Sequence, residues 1–363
     1  MIAAKYYSTV FLYLTVILTV IVAKRYYPKT YIDIRENHEN GFALILCILL
    51  TWWIGQRPLS PFFGDSYFYA HTYSMIKSGL FVEANDKIWT FITNTCAQFF
   101  DVHGYFTVVA IGYFGFTYLA SKIATPNNVL VTVLFLLGTF SFYSYGVNGI
   151  RNGLACSIAL SAIVLYVNNK KSLPLVIGLS IIAIGIHKST LIPIASLFAS
   201  TYFVKSFKQA YTFWIISILI SLVAGNSIAN FFANIGLDDS RTSYLTTQDE
   251  GMFSHSGFRW DFLIYSMMPI VLGYYIIIKR GIEDRSYEIL LSTYTIANAF
   301  WVMVIRANYS NRFAYLSWFM YALVLAYPLL KLDIWGDEQG KYLSRIMLAQ
   351  IGFTWFMKTF YWS

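Results

Sequence analysis

The chain has 363 residues, of which 57% are apolar and 12% charged, and it carries 30 Phe, 29 Tyr and 10 Trp. Soluble domains carry about 25% charged residues, and one core of this length could not enclose so much apolar surface. A cytosolic enzyme, a disordered chain and a fibre are excluded, and the net charge of +8 points to nucleic acid, anionic lipid or a membrane-topology signal.

In chain order, the first apolar segment, 6–23, has no charge, no small-residue cleavage site and Lys24-Arg25 behind it. It reads as a first span and not as a removed signal peptide. Crossing a bilayer takes about 20 apolar helical residues. Further charge-free runs fall at 40–56, 102–121, 123–150, 152–169, 172–187, 189–204, 209–237, 262–278, 289–305 and 313–330, and the aromatic tail 346–357 adds a shorter one. The expected fold is therefore all-α, a single polytopic helical bundle with about 11–12 transmembrane helices. Segment 88–100 is too short and polar for a span and reads as an interfacial or re-entrant helix. Pro174, Pro193, Pro269 and Pro328 read as kinks or helix starts. Cys47, Cys96 and Cys156 have no metal-type spacing.

Orientation follows from the bias of Lys and Arg between loops. With the N-terminus outside and 88–100 not crossing, the inner loops hold 15 basic residues and the outer side 11. If 88–100 crossed, the bias would reverse. Two long loops, 57–101 and 231–261, then lie outside, where sites tend to sit.

Several charges lie at the predicted outer ends of helices. Charge inside a membrane is costly and marks a function or a partner, although long side chains near an end can reach the interface instead. Arg57 follows TWWIGQ and reads either way. Arg151 lies between Gly149 and Gly153, which permit a tight turn and close approach. His187-Lys188 interrupt two apolar runs, as a functional pair or a short connector. Arg306 and Arg312 bracket ANYSN, as site residues or boundary anchors. His38 in RENHEN reads as solvated, and His71 and His103 as interfacial hydrogen-bonders. Gly153, Ser157 and Ser161 recur every four residues, the pattern of close helix packing. No Walker loop, dinucleotide fingerprint, HExxH or GxSxG motif is present. Asp238-Asp239 is only a weak acidic pair.

Arginines on one face suit phosphate oxygens, and several suit a pyrophosphate. A pyrophosphate leaves readily once its charge is stabilised. What remains is a group to take a proton from an attacking sugar hydroxyl, for which His187 or Asp65 are candidates. The order of these features resembles the EpsG-type family of exopolysaccharide polymerases, related to the Wzy O-antigen and capsule polymerases. The matching pieces are Arg57 followed by FFGDSYFYAHTYS with Gly64, Asp65 and Tyr69, then NGIRNGLACSIAL around Arg151. IHKSTLIPI with His187 and Ser189, and NRFAYLSWFMYAL with Arg312 and Tyr315, complete the series. Where the family usually has Gln after the central Arg, this chain has Asn152.

The resemblance implies a bacterial inner-membrane polymerase. Its partner would be an undecaprenyl-pyrophosphate-linked oligosaccharide, joined on the periplasmic face without a metal or cofactor and with inversion. It also implies a chain-length regulator as a partner class. Arg151 and Arg312, with Arg57, Arg259 or Arg306, would hold the pyrophosphate. His187 would position or deprotonate the acceptor, and Lys188 or Asp65 would tune the site. The alternatives are an O-antigen ligase, another lipid-carrier glycosyltransferase, or a flippase of the lipid-linked oligosaccharide. A ligase would be expected to have one very large outer loop, and a flippase to bury ionisable groups at the midplane. The +8 then divides unevenly: the inner loops hold 15 basic against 9 acidic residues and the outer side 11 against 9. Most of it is a topology signal, and nucleic acid need not be invoked.

Overall fold

The computed structural model describes residues 2–37, 41–80, 86–168, 172–234, 257–306 and 310–361. His38, most of the loop 231–261 and the Ala307–Tyr309 part of ANYSN lie outside these residues. The chain is all-α, and the described residues contain no strand. They form two compact units, residues 1–187 with 326–363, and residues 188–325.

The first unit begins with α1 (Tyr7–Tyr26), whose last turn carries Lys24 and Arg25, the favourable sign for a helix C-terminus. The short α2 (Tyr31–Arg35) opens on a reciprocal cap, in which Thr30 and Asp33 satisfy each other's backbone N–H. Then come α3 (Gly41–Gly55), α4 (Ser66–Lys77) and α5 (Lys87–Phe99). The last of these buries Trp89, Thr93 and Cys96 and exposes Phe91 and Phe99, so 88–100 folds as a short amphipathic helix.

Helix α6 (Val102–Ala124) packs against α3 and against α9 (Ile150–Asn168). The apolar run 123–150 does not make one span. It breaks at Gly138–Ser141 into α7 (Val129–Leu137) and α8 (Phe142–Val147). Helix α10 (Leu173–Ile186) carries Pro174 in its first turn and lies on α9. The C-terminal helix of the first unit, here α16 (Gln339–Phe356), packs along α1. Small polar side chains join these helices. Ser344 Oγ donates to Ala23 O (2.7 Å), Gln350 Nε2 to Phe135 O (2.7 Å) and Ser161 Oγ to Phe116 O (2.9 Å). Where surrounding lipid tails give no hydrophobic drive between helices, close packing and such bonds hold them.

The second unit holds α11 (Leu191–Tyr202), α12 (Phe207–Asn234), α13 (Trp260–Gly273), α14 (Arg285–Met303) and most of α15 (Ser310–Lys331). Helix α12 kinks at Ala224. Pro269 lies within α13, which continues as a π-helical turn over Tyr274–Lys279. The centre of this unit is α14. Asn298 accepts from Trp214 Nε1 (2.8 Å) and donates to Ser317 Oγ (3.0 Å), and Ser200 and Thr293 share a hydrogen bond of 2.8 Å.

Among the described residues, six helices are long and apolar enough to cross a membrane: Ala4–Tyr26, Val102–Ala124, Ile150–Asn168, Phe207–Gly225, Trp260–Lys279 and Ser310–Lys331. The remaining apolar runs are helical as well but shorter or more polar, Gly41–Gly55 and Leu173–Ile186 among them. The protein is a multi-pass membrane protein.

Candidate functional site

The first unit gathers five of the sequence-predicted residues, Arg57, Asp65, Tyr69, Arg151 and His187. Arg57 follows α3 and is 1% exposed. Its Nη1 donates to Ile54 O (2.8 Å) and its Nη2 to Ser66 Oγ (2.7 Å), and its guanidinium lies over the Phe106 ring at 4.0 Å. Ser66 in turn donates to Val147 O. Burial lowers the Arg57 pKa to about 10, which leaves it charged at neutral pH. The residue thus ties the end of α3 to the start of α4 and the end of α8.

The next tie is Asn148, which accepts from the Asp65 N–H at 2.7 Å. Gly64 makes this possible. Its φ is +57°, and a Cβ there would sit 2.7–3.0 Å from the Asn148 amide. One turn into α9, Gly153 brings that helix against the carbonyl of Tyr145, a contact that a Cβ would close. These two glycines position Asp65 and Arg151 from opposite sides of the α8–α9 junction.

Arg151 forms an ion pair with Asp86, Nη1 to Oδ2 at 2.7 Å, with side-chain exposures of 29% and 7%. Its Nε is buried without a hydrogen-bond partner among the described residues, as is Nε of Arg57. Asp86 precedes α5, and Ile88 two residues on packs where α10 presents Gly185. His187, 3% exposed, ends α10 just beyond. Tyr69 on α4 meets Trp89 edge-on at 5.7 Å, and Trp89 meets Tyr105 at 6.0 Å. The α3–α4 junction, the α8–α9 junction, the start of α5 and the end of α10 therefore form one end of this unit.

Sequence reasoning missed Asp86, because an Asp before an apolar helix reads as a cap. Asp101 and Asp284 are such caps, accepting from Gly104 N (2.7 Å) and Tyr287 N (2.6 Å). Asp65 and Asp86 occupy the same position before α4 and α5, yet neither carboxylate caps its helix. A missing cap forgoes about 1 kcal/mol; both of these aspartates stand at this end, and Asn128, Ser141, Ser172 and Thr190 elsewhere are likewise N-cap residues without a cap bond.

The other five predicted residues lie in the second unit. Lys188 opens a turn of 3₁₀ helix and is exposed. Arg259 is held in a bidentate pair by Asp261 (2.9 and 2.6 Å) and stacks on Phe262 at 3.6 Å. Arg306 packs against Gly225 and lies 5.9 Å from the Phe258 ring. Arg312 is half-buried in the first turn of α15, and Tyr315, 3% exposed, lies beside Phe319. Among the described residues, no three His, Cys, Asp or Glu side chains gather as metal ligands would.

Fold and site together define a multi-pass, all-α membrane protein with arginine, carboxylate and aromatic side chains collected at helix ends. The sequence matches the EpsG family over residues 41–362, and the chain belongs to that family. It is accordingly a polysaccharide-polymerase-like membrane protein, a glycosyltransferase-type enzyme at that coarse level. No curated protein and no solved structure matches it.

Proposed function

We propose that the protein polymerises undecaprenyl-pyrophosphate-linked oligosaccharide repeat units on the periplasmic face of a bacterial inner membrane. A hydroxyl at the non-reducing end of the new unit attacks the anomeric carbon of the growing chain. The bond from that carbon to the pyrophosphate oxygen breaks with inversion. The lipid pyrophosphate leaves with the electron pair, and the hydroxyl proton passes to a protein base. No metal is required if cations meet the developing charge.

Arg151 is the cation proposed to hold the pyrophosphate in the first unit, exchanging its contact with Asp86 for phosphate oxygens. His187 and Asp65 are the candidate bases. Arg57 acts from its buried position by fixing the junction that carries Asp65 and Arg151. Tyr69 offers a ring to a sugar. In the second unit, Arg306 and Arg312 are proposed as further phosphate-binding cations, with Arg259 available once it leaves Asp261. Lys188 tunes His187, and Tyr315 lies one turn beyond Arg312. The family match over residues 41–362 carries this reading, and the Arg151–Asp86 pair supports it.

The test deletes the gene and complements it with Arg151→Ala or His187→Ala, reading polymer length by gel. Single repeat units on the surface with long chains lost support the polymerase. Repeat units that never reach the periplasm would indicate a flippase, and a wild-type ladder with either variant removes that residue from the site.

A further inference from the structure

At the other end of α6 from Arg57, the first unit contains a cavity of about 240 Å³. Its floor is Thr125, Asn128 and Leu330, all buried, and Arg35 and Lys331 stand exposed at its mouth. The C-termini of α2, α6 and α15 border it beside the N-terminus of α7, and free carbonyls at those C-termini would repel an anion. Side chains take several of these carbonyls. Asn127 Nδ2 donates to Arg35 O (2.7 Å), Asn128 Nδ2 to Ile34 O (2.8 Å) and Tyr31 OH to Lys331 O (3.0 Å).

The cations are left for something else. Among the described residues, neither Arg35 nor Lys331 has a carboxylate partner. Two of the nearby acids are occupied by backbone: Asp33 accepts from Thr30 N (2.9 Å), and Asp333 from Gly336 N (2.9 Å). The volume lies below the roughly 300–1,000 Å³ of pockets for drug-sized ligands, and it suits one phosphate group. Lys331 ends the span Ser310–Lys331, and the neighbouring Val102–Ala124 ends one residue before Thr125. The cavity therefore sits at the level of lipid phosphates. On α2, Ile32 is 64% exposed, an apolar side chain suited to acyl chains. With the basic loops inside, as the sequence predicts, this is the leaflet rich in anionic lipid.

We propose that this cavity binds the phosphate of an anionic phospholipid headgroup through Arg35 and Lys331. The site is separate from the polymerisation chemistry. The test uses the purified full-length protein in neutral detergent, titrated with phosphatidylglycerol, phosphatidylcholine and inorganic phosphate, with bound lipid counted by native mass spectrometry. Phosphatidylglycerol is expected to bind at least tenfold more tightly than phosphatidylcholine. Arg35→Gln with Lys331→Gln is expected to remove that preference, while Lys122→Gln, an exposed cation near the same end of α6, leaves it intact. Asn127→Asp, which adds a carboxylate to the lining, is expected to weaken phosphatidylglycerol binding and supplies the test if the double variant does not fold. Competition by millimolar inorganic phosphate would keep the anion site and assign it to a soluble phosphate. Unchanged selectivity in both the double variant and Asn127→Asp overturns the proposal, as does equal loss with Lys122→Gln.

Discussion

The two ends of the first unit treat their polar groups in opposite ways. Around α2 and the 125–128 turn, apart from the exposed Arg35 and Lys331 at the cavity mouth, backbone and buried polar groups have local partners: Thr30 and Asp33 cap each other, and Asn128 bridges Tyr26 OH (2.8 Å) and Ile34 O (2.8 Å). At the other end, Asp65 and Asp86 stand at helix starts without capping them, and Nε of Arg57 and of Arg151 has no hydrogen-bond partner among the described residues. Folding alone favours the first arrangement. The second leaves the Nε groups of two arginines and an exchangeable Arg151–Asp86 ion pair where a substrate can use them, at some cost in stability.

Substitutions can break or sharpen that contrast. The largest effect is expected from exchanging the ion pair. Asp86→Arg combined with Arg151→Asp should recover much of the thermal stability lost in either single variant, yet make no long polymer. Recovery of polymer by the exchange would show the pair to be purely structural. Gly153→Ala comes next. Overpacking against the Tyr145 carbonyl should cost about 1–3 kcal/mol, read as a lower unfolding temperature in detergent, with polymer length falling because Arg151 is displaced.

Asn128→Ala, at the well-satisfied end, should cost about 1–3 kcal/mol by orphaning buried partners, and gel ladders should stay long. The smallest difference is the most diagnostic. Asp101→Ala should lose about 1 kcal/mol as a true cap and leave gel ladders long, while Asp65→Ala should shorten the polymer. A wild-type ladder with Asp65→Ala would remove the contrast.

Much of this fold was legible in the sequence because lipid enforces it. A backbone in hydrocarbon must satisfy itself, so apolar runs become helices, and 6–23, 102–121, 152–169 and 313–330 became α1, α6, α9 and α15. The break in 123–150 was not legible, because Gly138 and Ser141 interrupt a run whose hydropathy stays high. The site was half legible. Arg151 stood out because a charge flanked by glycines beside apolar helices needs a reason. Asp86 did not, since its partner is 65 positions away and its local setting is that of a cap. A carboxylate's second use is decided by tertiary approach, here that of α9 to the start of α5.

Helix α16 has a consequence for how the protein is made. The first unit is closed by residues 326–363, whose side chains reach Ala23 O, Phe135 O and Gly138 O. Those acceptors leave the ribosome first and their donors last, separated by the whole of residues 188–325. At about 5–20 residues per second that interval is roughly 7–30 s. Over that interval the second unit is being made, while the first waits in the bilayer with an open seam beside α1. Newly made chains are therefore expected to be most vulnerable to membrane proteases at that stage. A chain cut after Leu332 should be cleared quickly in pulse-chase labelling, and supplying residues 333–363 as a separate segment should slow its loss.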